Sequence, residues 1–347
     1  MSTTTSSKGR VLVTGINGFV GVQIARALNE HGYTIVGAVR EESKTAQLRK
    51  LLPQAVASGA LTFGIVPDIT TPGAFDEILS NGEPFDAVVH AASPISFAMK
   101  DVEQDIYRPA VEGTLGILRS IKARAPSVKR VIITSSFVTV ADRSKGARPG
   151  YTYSEEDWSP VTREQGLQNV QEGYTASKIL AEKAAWNFVE IEKPNFTITT
   201  LCPTFLFGPP DQATSIRDLN STSAMIYGVL EGKTFMAISG YVWVDVRDVA
   251  LAHVLAIESA AAENQRYLIV GGKYSSQQVI DYLWEKYPER AKKNNVTKGT
   301  PGQLWPEGGV FDVDTMKSQR DLGLKYRSFD DCLHETFSKM IELESEA

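Results

Sequence analysis

The chain has 347 residues, 42% of them hydrophobic and 22% charged, with a formal net charge of -5 at pH 7. A chain of this length buries a large core and is expected to form one main domain with a smaller lobe appended. Its mildly acidic balance and lack of basic runs exclude nucleic acid as a main partner, and two cysteines with four scattered histidines exclude a disulfide framework and give no metal-ligand spacing.

The first nine residues form a polar Ser/Thr tail without an apolar signal core, and no later stretch is apolar for long enough to span a bilayer. A cytoplasmic protein is expected. Residues 10–14 read as a buried strand that passes into Gly15-Ile16-Asn17-Gly18-Phe19-Val20-Gly21 and then into an amphipathic helix. Glycines at this spacing let a turn tighten, let backbone approach a pyrophosphate, and let the helix pack on the sheet with its N-terminus toward the phosphate. The next strand, 34–39, ends at Arg40, where an NAD-binding protein usually carries an acid for the ribose 2'-hydroxyl. Arg40, with Lys44 four residues on, suits a 2'-phosphate instead. NADP is therefore the expected cofactor, although Glu41 and Glu42 would also allow a simple solvated charge cluster.

A helix over 43–52 leads to a third strand near 61–66, and then to Asp68 and Ile69. Asp68 could accept from an adenine amino group or cap a helix starting near Pro72. A fourth strand, 87–90, opens into Ala91-Ala92-Ser93-Pro94, small residues that let backbone lie along a ligand, with His90 read as a packed strand residue. A long helical pattern covers 101–125. The fifth strand, 130–134, delivers Ser135 and Ser136 to the C-terminal edge of the sheet, where open parallel sheets bind ligands. Without a G-x-S-x-G elbow neither serine reads as a hydrolase nucleophile.

Residues 141–166 are polar and read as a long excursion over that edge. Beyond them Tyr174 and Lys178 lie four residues apart in a helical pattern, so they share a face. An ammonium beside a phenol is expected to lower its pKa and fit it for proton transfer to an alkoxide. A sixth strand, 197–201, exits through Cys202-Pro203-Thr204-Phe205-Leu206-Phe207, suited either to covering a flat ring or to packing on itself. Asp245 and Asp248, beside Arg247 at a strand-to-helix junction, are expected to cap and form ion pairs rather than hold a metal.

Together the glycine turn, Asp68-Ile69, Ala91-Ala92-Ser93-Pro94, Thr134-Ser135-Ser136, Tyr174 with Lys178, and Val244 to Ala250 resemble the extended short-chain dehydrogenase/reductase family along nearly the whole chain. Within it the chain looks like the branch of dihydroflavonol reductases, cinnamoyl-CoA reductases and yeast methylglyoxal and aldehyde/ketone reductases. The resemblance implies an α/β fold, a Rossmann-type doubly wound parallel sheet over 10–210 and about 241–262, with a smaller C-terminal α/β substrate lobe from 211–240 and 263–347. It implies Ser136, Tyr174 and Lys178 as catalytic, with Ser135 the alternative serine. Cofactor contacts would come from Gly15, Asn17, Gly18, Phe19, Val20, Gly21, Arg40, Lys44, Asp68, Ile69, Ala91, Ala92, Ser93, Tyr174, Lys178, Pro203, Thr204 and Phe205. Phe97, Phe137, Phe205 and Tyr227 would line an apolar pocket. Gln171-Glu172-Gly173 stands where cinnamoyl-CoA reductases carry an aromatic and basic signature, which argues against that substrate. The expected activity is NADPH-dependent reduction of small or medium aldehydes and ketones, by a monomer or homodimer. A nucleotide-sugar epimerase or dehydratase that recycles its hydride and a non-catalytic NADP-binding sensor are the alternatives.

Overall fold

A computed structural model describes residues 7–93, 101–233 and 240–345. The strands, in chain order, are β1 (Arg10–Thr14), β2 (Thr34–Val39), β3 (Leu61–Ile65), β4 (Ala87–His90), β5 (Arg130–Thr134), β6 (Thr152–Tyr153), β7 (Thr197–Pro203), β8 (Phe205–Phe207), β9 (Val242–Asp245), β10 (Gln265–Ile269), β11 (Gly272–Lys273) and β12 (Asp312–Val313). Among the described residues seven of these form one sheet, in the order β3-β2-β1-β4-β5-β7-β10, and every pairing in it is parallel. The order reverses between β1 and β4. A crevice opens beyond their C-terminal ends at such a switch point.

The apolar runs of these strands serve two cores at once, because successive side chains point to opposite faces. Val11 and Val13 join one cluster with Ile24 and Leu28 of the helix Phe19–Glu30 and Val249 and Ala252 of the helix Val246–Glu258. Leu12 points the other way, toward Ile117 and Ile121 of the helix Arg108–Arg124 and Ala185 and Phe188 of the helix Val170–Glu192. Burying a side chain of Leu or Phe size contributes ~1.5–3 kcal/mol, so the two cores hold the sheet rigid from both sides.

A smaller lobe gathers Phe205, Phe207, Trp243, Tyr274, Phe337 and Met340 into a separate aromatic core. The strand β10 belongs to the main sheet, paired with β7 from Gln265↔Thr199 to Ile269↔Pro203, although sequence alone assigns residues from 263 onward to the lobe. Leu322 and Leu324 likewise pack into the main core. The chain thus returns to the sheet after its first lobe segment, and a short strand with few local signals does not advertise which sheet it joins. Three expected helices also differ: 43–52 is a 3-10 turn followed by the helix Ala46–Leu51, the helix expected near Pro72 starts at Asp76, and the 101–125 pattern begins with a π-helical stretch over Glu103–Tyr107.

Candidate functional site

The turn after β1 is closed by Gly18 N–H donating to the Gly15 carbonyl at 3.0 Å. Gly15 sits at φ +68, and a Cβ there would lie 2.8 Å from the Ala92 backbone; one on Gly21 would lie 2.1 Å from the Gly15 carbonyl oxygen. Only glycine fits either place. The first bond of the following helix runs from Val22 N–H to the Gly18 carbonyl at 2.9 Å, so the amides of Phe19 and Val20 lie within its bare N-terminal turn, next to the exposed Asn17. Ala91 and Ala92 pack on Gly15 and spend their amides within the protein, on the Thr14 carbonyl at 3.3 Å and the Thr14 hydroxyl at 3.2 Å. Ser93 follows them, partly buried. Across the switch point the Thr14 hydroxyl also meets His90 Nδ1 at 2.9 Å. Burial and the Lys178 charge push His90 down to about 3, so it is neutral and packed, as its strand position suggested.

The helix Val170–Glu192 begins where the Asn169 side chain accepts from Glu172 N–H at 2.9 Å, and it carries Tyr174 and Lys178 one turn apart toward the end of β5. Ser136 leaves that strand with extended backbone, φ -161, and its hydroxyl hydrogen-bonds Tyr174. Lys178 is 8% exposed and donates from Nζ to the Thr134 carbonyl at 3.3 Å. The structure therefore brings Ser136, Tyr174 and Lys178 together. Ser135 is turned away: its hydroxyl donates to Glu182 Oε2 at 2.5 Å.

The electrostatics differ from the simplest expectation. The Tyr174 phenol lies above its ordinary value because the surrounding protein desolvates its anion, and the opposing pull comes from the Ser136 hydroxyl rather than from Lys178. The ammonium is turned to the Thr134 carbonyl. Lys178 is itself pulled down to about 8 by burial, against the raising effect of Glu182. At neutral pH this leaves a protonated phenol and a mostly charged ammonium, the states that a proton donor and its electrostatic partner need.

Further along the C-terminal edge of the sheet Arg40 is exposed at the end of β2 and forms no ion pair among the described residues. The neighbouring acids are occupied elsewhere, Glu41 with Lys44 at 3.8 Å and Glu42 with Arg49 at 2.8 Å. Asp68 accepts from both the Thr70 amide and hydroxyl at 2.8 Å, and those bonds, with Arg108 and Arg40 nearby, hold its carboxyl below the ordinary range. Because the next helix starts at Asp76, Asp68 caps nothing there. Ile69 packs its side chain on Gly113.

Of the aromatic rings expected at the pocket, Phe137 and Phe205 are buried in neighbouring cores, where large rings gain most. Phe137 is 2% exposed and packs edge-on to Tyr153 and stacked on Phe311. Phe205 lies within the lobe core, 5.9 Å from Tyr274. Tyr227 hydrogen-bonds Glu344 and borders a charged surface hollow with Glu231, Glu289 and Arg290. Phe97 and Pro94 lie outside the described residues. Pro203 ends β7, and the Thr204 hydroxyl beside it is buried with no hydrogen-bond partner among the described residues. With the glycine cradle and the bare helix turn, that orphaned hydroxyl fits a nucleotide lying along the sheet edge.

Sequence reasoning missed three side chains behind the site. His253 donates from Nδ1 to the Val249 carbonyl at 2.7 Å, which leaves Nε2 to accept from the Thr134 hydroxyl at 2.8 Å. Glu182 and Arg266 form a buried ion pair at 2.7 Å. Glu182 was visible in principle, as an acid four residues beyond Lys178 on a helix face that otherwise packs inward. Asp245 and Asp248 do as expected: Asp245 accepts from the Arg247 amide at 2.8 Å and pairs with its side chain at 2.6 Å, and Asp248 pairs with Arg327. No group of acids, histidines and cysteines able to hold a metal occurs among the described residues.

The model of the NAD dependent epimerase/dehydratase family matches residues 11–271. The chain is 37% identical over 345 residues to a putative NADPH-dependent methylglyoxal reductase of Candida albicans, covering 97% of this chain and 99% of that protein. It is also 37% identical to a ketoreductase of Aspergillus niger, over 96% of this chain and 98% of that one. The solved structure of a yeast methylglyoxal/isovaleraldehyde reductase complexed with NADPH superposes with a TM-score of 0.87 at 31% identity, covering 97% of this chain and 100% of the other.

Proposed function

The chain belongs to the NAD dependent epimerase/dehydratase family, and on that premise we propose that it is an NADPH-dependent reductase that converts small or medium aldehydes and ketones, diketones and ketoesters included, to alcohols. The meeting of Ser136, Tyr174 and Lys178 at the ligand edge of β5 carries this reading. The cradle from Gly15 to Gly21 would hold the pyrophosphate, Arg40 and Lys44 the 2'-phosphate, and Lys178 the nicotinamide ribose. Bound there, NADPH supplies the hydride.

The rest is the work of the chain's own groups. The Ser136 and Tyr174 hydroxyls donate to the carbonyl oxygen and orient it. As negative charge develops on that oxygen Tyr174 gives up its proton, and the Lys178 ammonium stabilises the phenolate left behind. A phenol held above its ordinary value stays loaded with that proton at neutral pH. The two cysteines are free and buried, which fits the reducing cytoplasm that completes the proposal.

Loss of NADPH absorbance with a panel of aldehydes, diketones and ketoesters, followed by chiral analysis of the alcohols, tests the reading. Stoichiometric cofactor oxidation with alcohol formation is expected. Interconversion of a sugar nucleotide without net cofactor change would replace the reductase by an epimerase.

A further inference from the structure

Four elements converge on one buried carboxylate beneath the catalytic residues. Glu182 follows Lys178 by four positions, as Lys178 follows Tyr174, so the three form a ladder on one helix face with rungs roughly 6 Å apart along the axis. Glu182 is 2% exposed. Its Oε2 accepts from the Ser135 hydroxyl at 2.5 Å and from the Thr139 hydroxyl at 2.9 Å. Its Oε1 accepts from the Thr200 hydroxyl at 2.9 Å and from Arg266 Nε at 2.7 Å.

The partners reach further. Arg266 also donates to Thr139 Oγ1 at 2.8 Å and to the carbonyls of Glu155 and Asp157 at 2.7 Å each, and its guanidinium lies 3.9 Å from the centre of the Trp158 ring. The Thr139 hydroxyl is shared between Glu182 and the Ser136 carbonyl, at 2.9 and 2.8 Å, and Thr139 N–H donates to that same carbonyl at 3.0 Å. Residues on both sides of Ser136 are thus tied to Glu182. A buried pair so fully hydrogen-bonded adds little net stability over an apolar equivalent, so its presence beside a reacting centre calls for another explanation.

We propose that Glu182 is a positioning residue for carbonyl reduction: through Ser135 and Thr139 it fixes the turn that presents Ser136, and its charge sustains the Lys178 ammonium one helical turn away. The inference rests on the reductase reading. Lys178 is faced by Tyr174 and Glu182 from its own helix, by the Thr134 carbonyl of β5, by His90 of β4 and by Cys202 of β7. His90 is neutral and burial pushes the Cys202 thiol up to about 12, whereas Glu182 is paired with the Arg266 guanidinium at 2.7 Å and supplies the negative charge of this set. Burial drives the ammonium toward losing its proton, and among the groups that resist this Glu182 comes first.

The test is kcat against pH for the full chain, with NADPH and a carbonyl compound that the unaltered protein reduces. Three variants are compared: Glu182→Gln, Glu182→Asp, and Glu182→Gln combined with Arg266→Gln, which leaves no unpaired buried charge to prevent folding. In the unaltered protein activity falls as pH rises through about 8, where Lys178 loses its proton. In both Gln variants that limb moves toward acid by about one pH unit, which lowers kcat at pH 8 by ~5-fold, while KM for NADPH changes less than ~3-fold. In Glu182→Asp the limb stays in place and kcat alone falls, because charge is kept while the shorter arm slackens the Ser136 turn. An unmoved limb in a folded Gln variant, or a limb that moves equally in the Asp variant, overturns the proposal. Absence of NADPH oxidation by the unaltered protein would instead overturn the reductase reading beneath it.

Discussion

At the Tyr174 end of the site Lys178 is almost wholly enclosed, and the buried Glu182 and Arg266 are held by partners from several strands and turns. At the Arg40 end the basic side chains stand in solvent on a strand end and a short 3-10 turn, and Lys44 pairs with the exposed Glu41. Reduction needs hydroxyls held to a fraction of an ångström around a carbonyl oxygen, whereas a 2'-phosphate needs only positive charge within reach. On the proposed function, chemistry is therefore built into the core and cofactor choice into the surface. The same substitution logic should give large, non-interchangeable effects at the first end and graded, salt-sensitive effects at the second.

The largest effect is expected at the phenol. Tyr174→Phe removes the proton donor while keeping the ring, and kcat should fall ~100- to ~10,000-fold with NADPH affinity retained. Steady-state kinetics beside NADPH fluorescence titration check this, and near-unaltered turnover would break the assignment of Tyr174. Next comes Arg266→Ala. It leaves the Glu182 carboxylate buried without its guanidinium, which should cost about 3–5 kcal/mol of folding stability in urea unfolding. An equivalent Arg40→Ala should cost less than ~0.5 kcal/mol, because that side chain is exposed and forms no ion pair among the described residues. Equal losses at the two arginines would erase the contrast between the ends. Third, Arg40→Asp should lower the preference for NADPH over NADH by ~10- to ~100-fold, the worth of a charge-assisted bond turned to repulsion, with the melting temperature unchanged.

The strand-turn-helix of β1 and the placing of Tyr174 and Lys178 on one helix face were legible because each depends on residues close in sequence. Between the two serines the sequence prefers Ser136 only by resemblance, and the contact that turns Ser135 aside comes from Glu182, 47 positions away. The pocket aromatics were not legible. Phe137 and Phe205 carry the right chemistry for a ligand face, but whether a ring turns to the cleft or to a core depends on Tyr153, Phe311 and Tyr274, which arrive from far along the chain. The direction of the Tyr174 shift escaped for a related reason: spacing places an ammonium one turn away, but not the Thr134 carbonyl that turns it aside or the protein that desolvates the phenol.

Lys44 offers the finest test of the surface end. It sits 3.8 Å from Glu41, both side chains more than half exposed, so the pair is worth little in itself and the ammonium is free to swing toward a phosphate. Lys44→Ala should therefore weaken NADPH by only ~2- to ~5-fold, leave NADH unaffected, and lose its effect as salt rises toward ~0.5 M, where exposed charges are screened within a few ångströms. A deficit that persisted at high salt would mean that Lys44 makes a close, desolvated contact with the phosphate. The Arg40 end would then share the built-in character of the catalytic one.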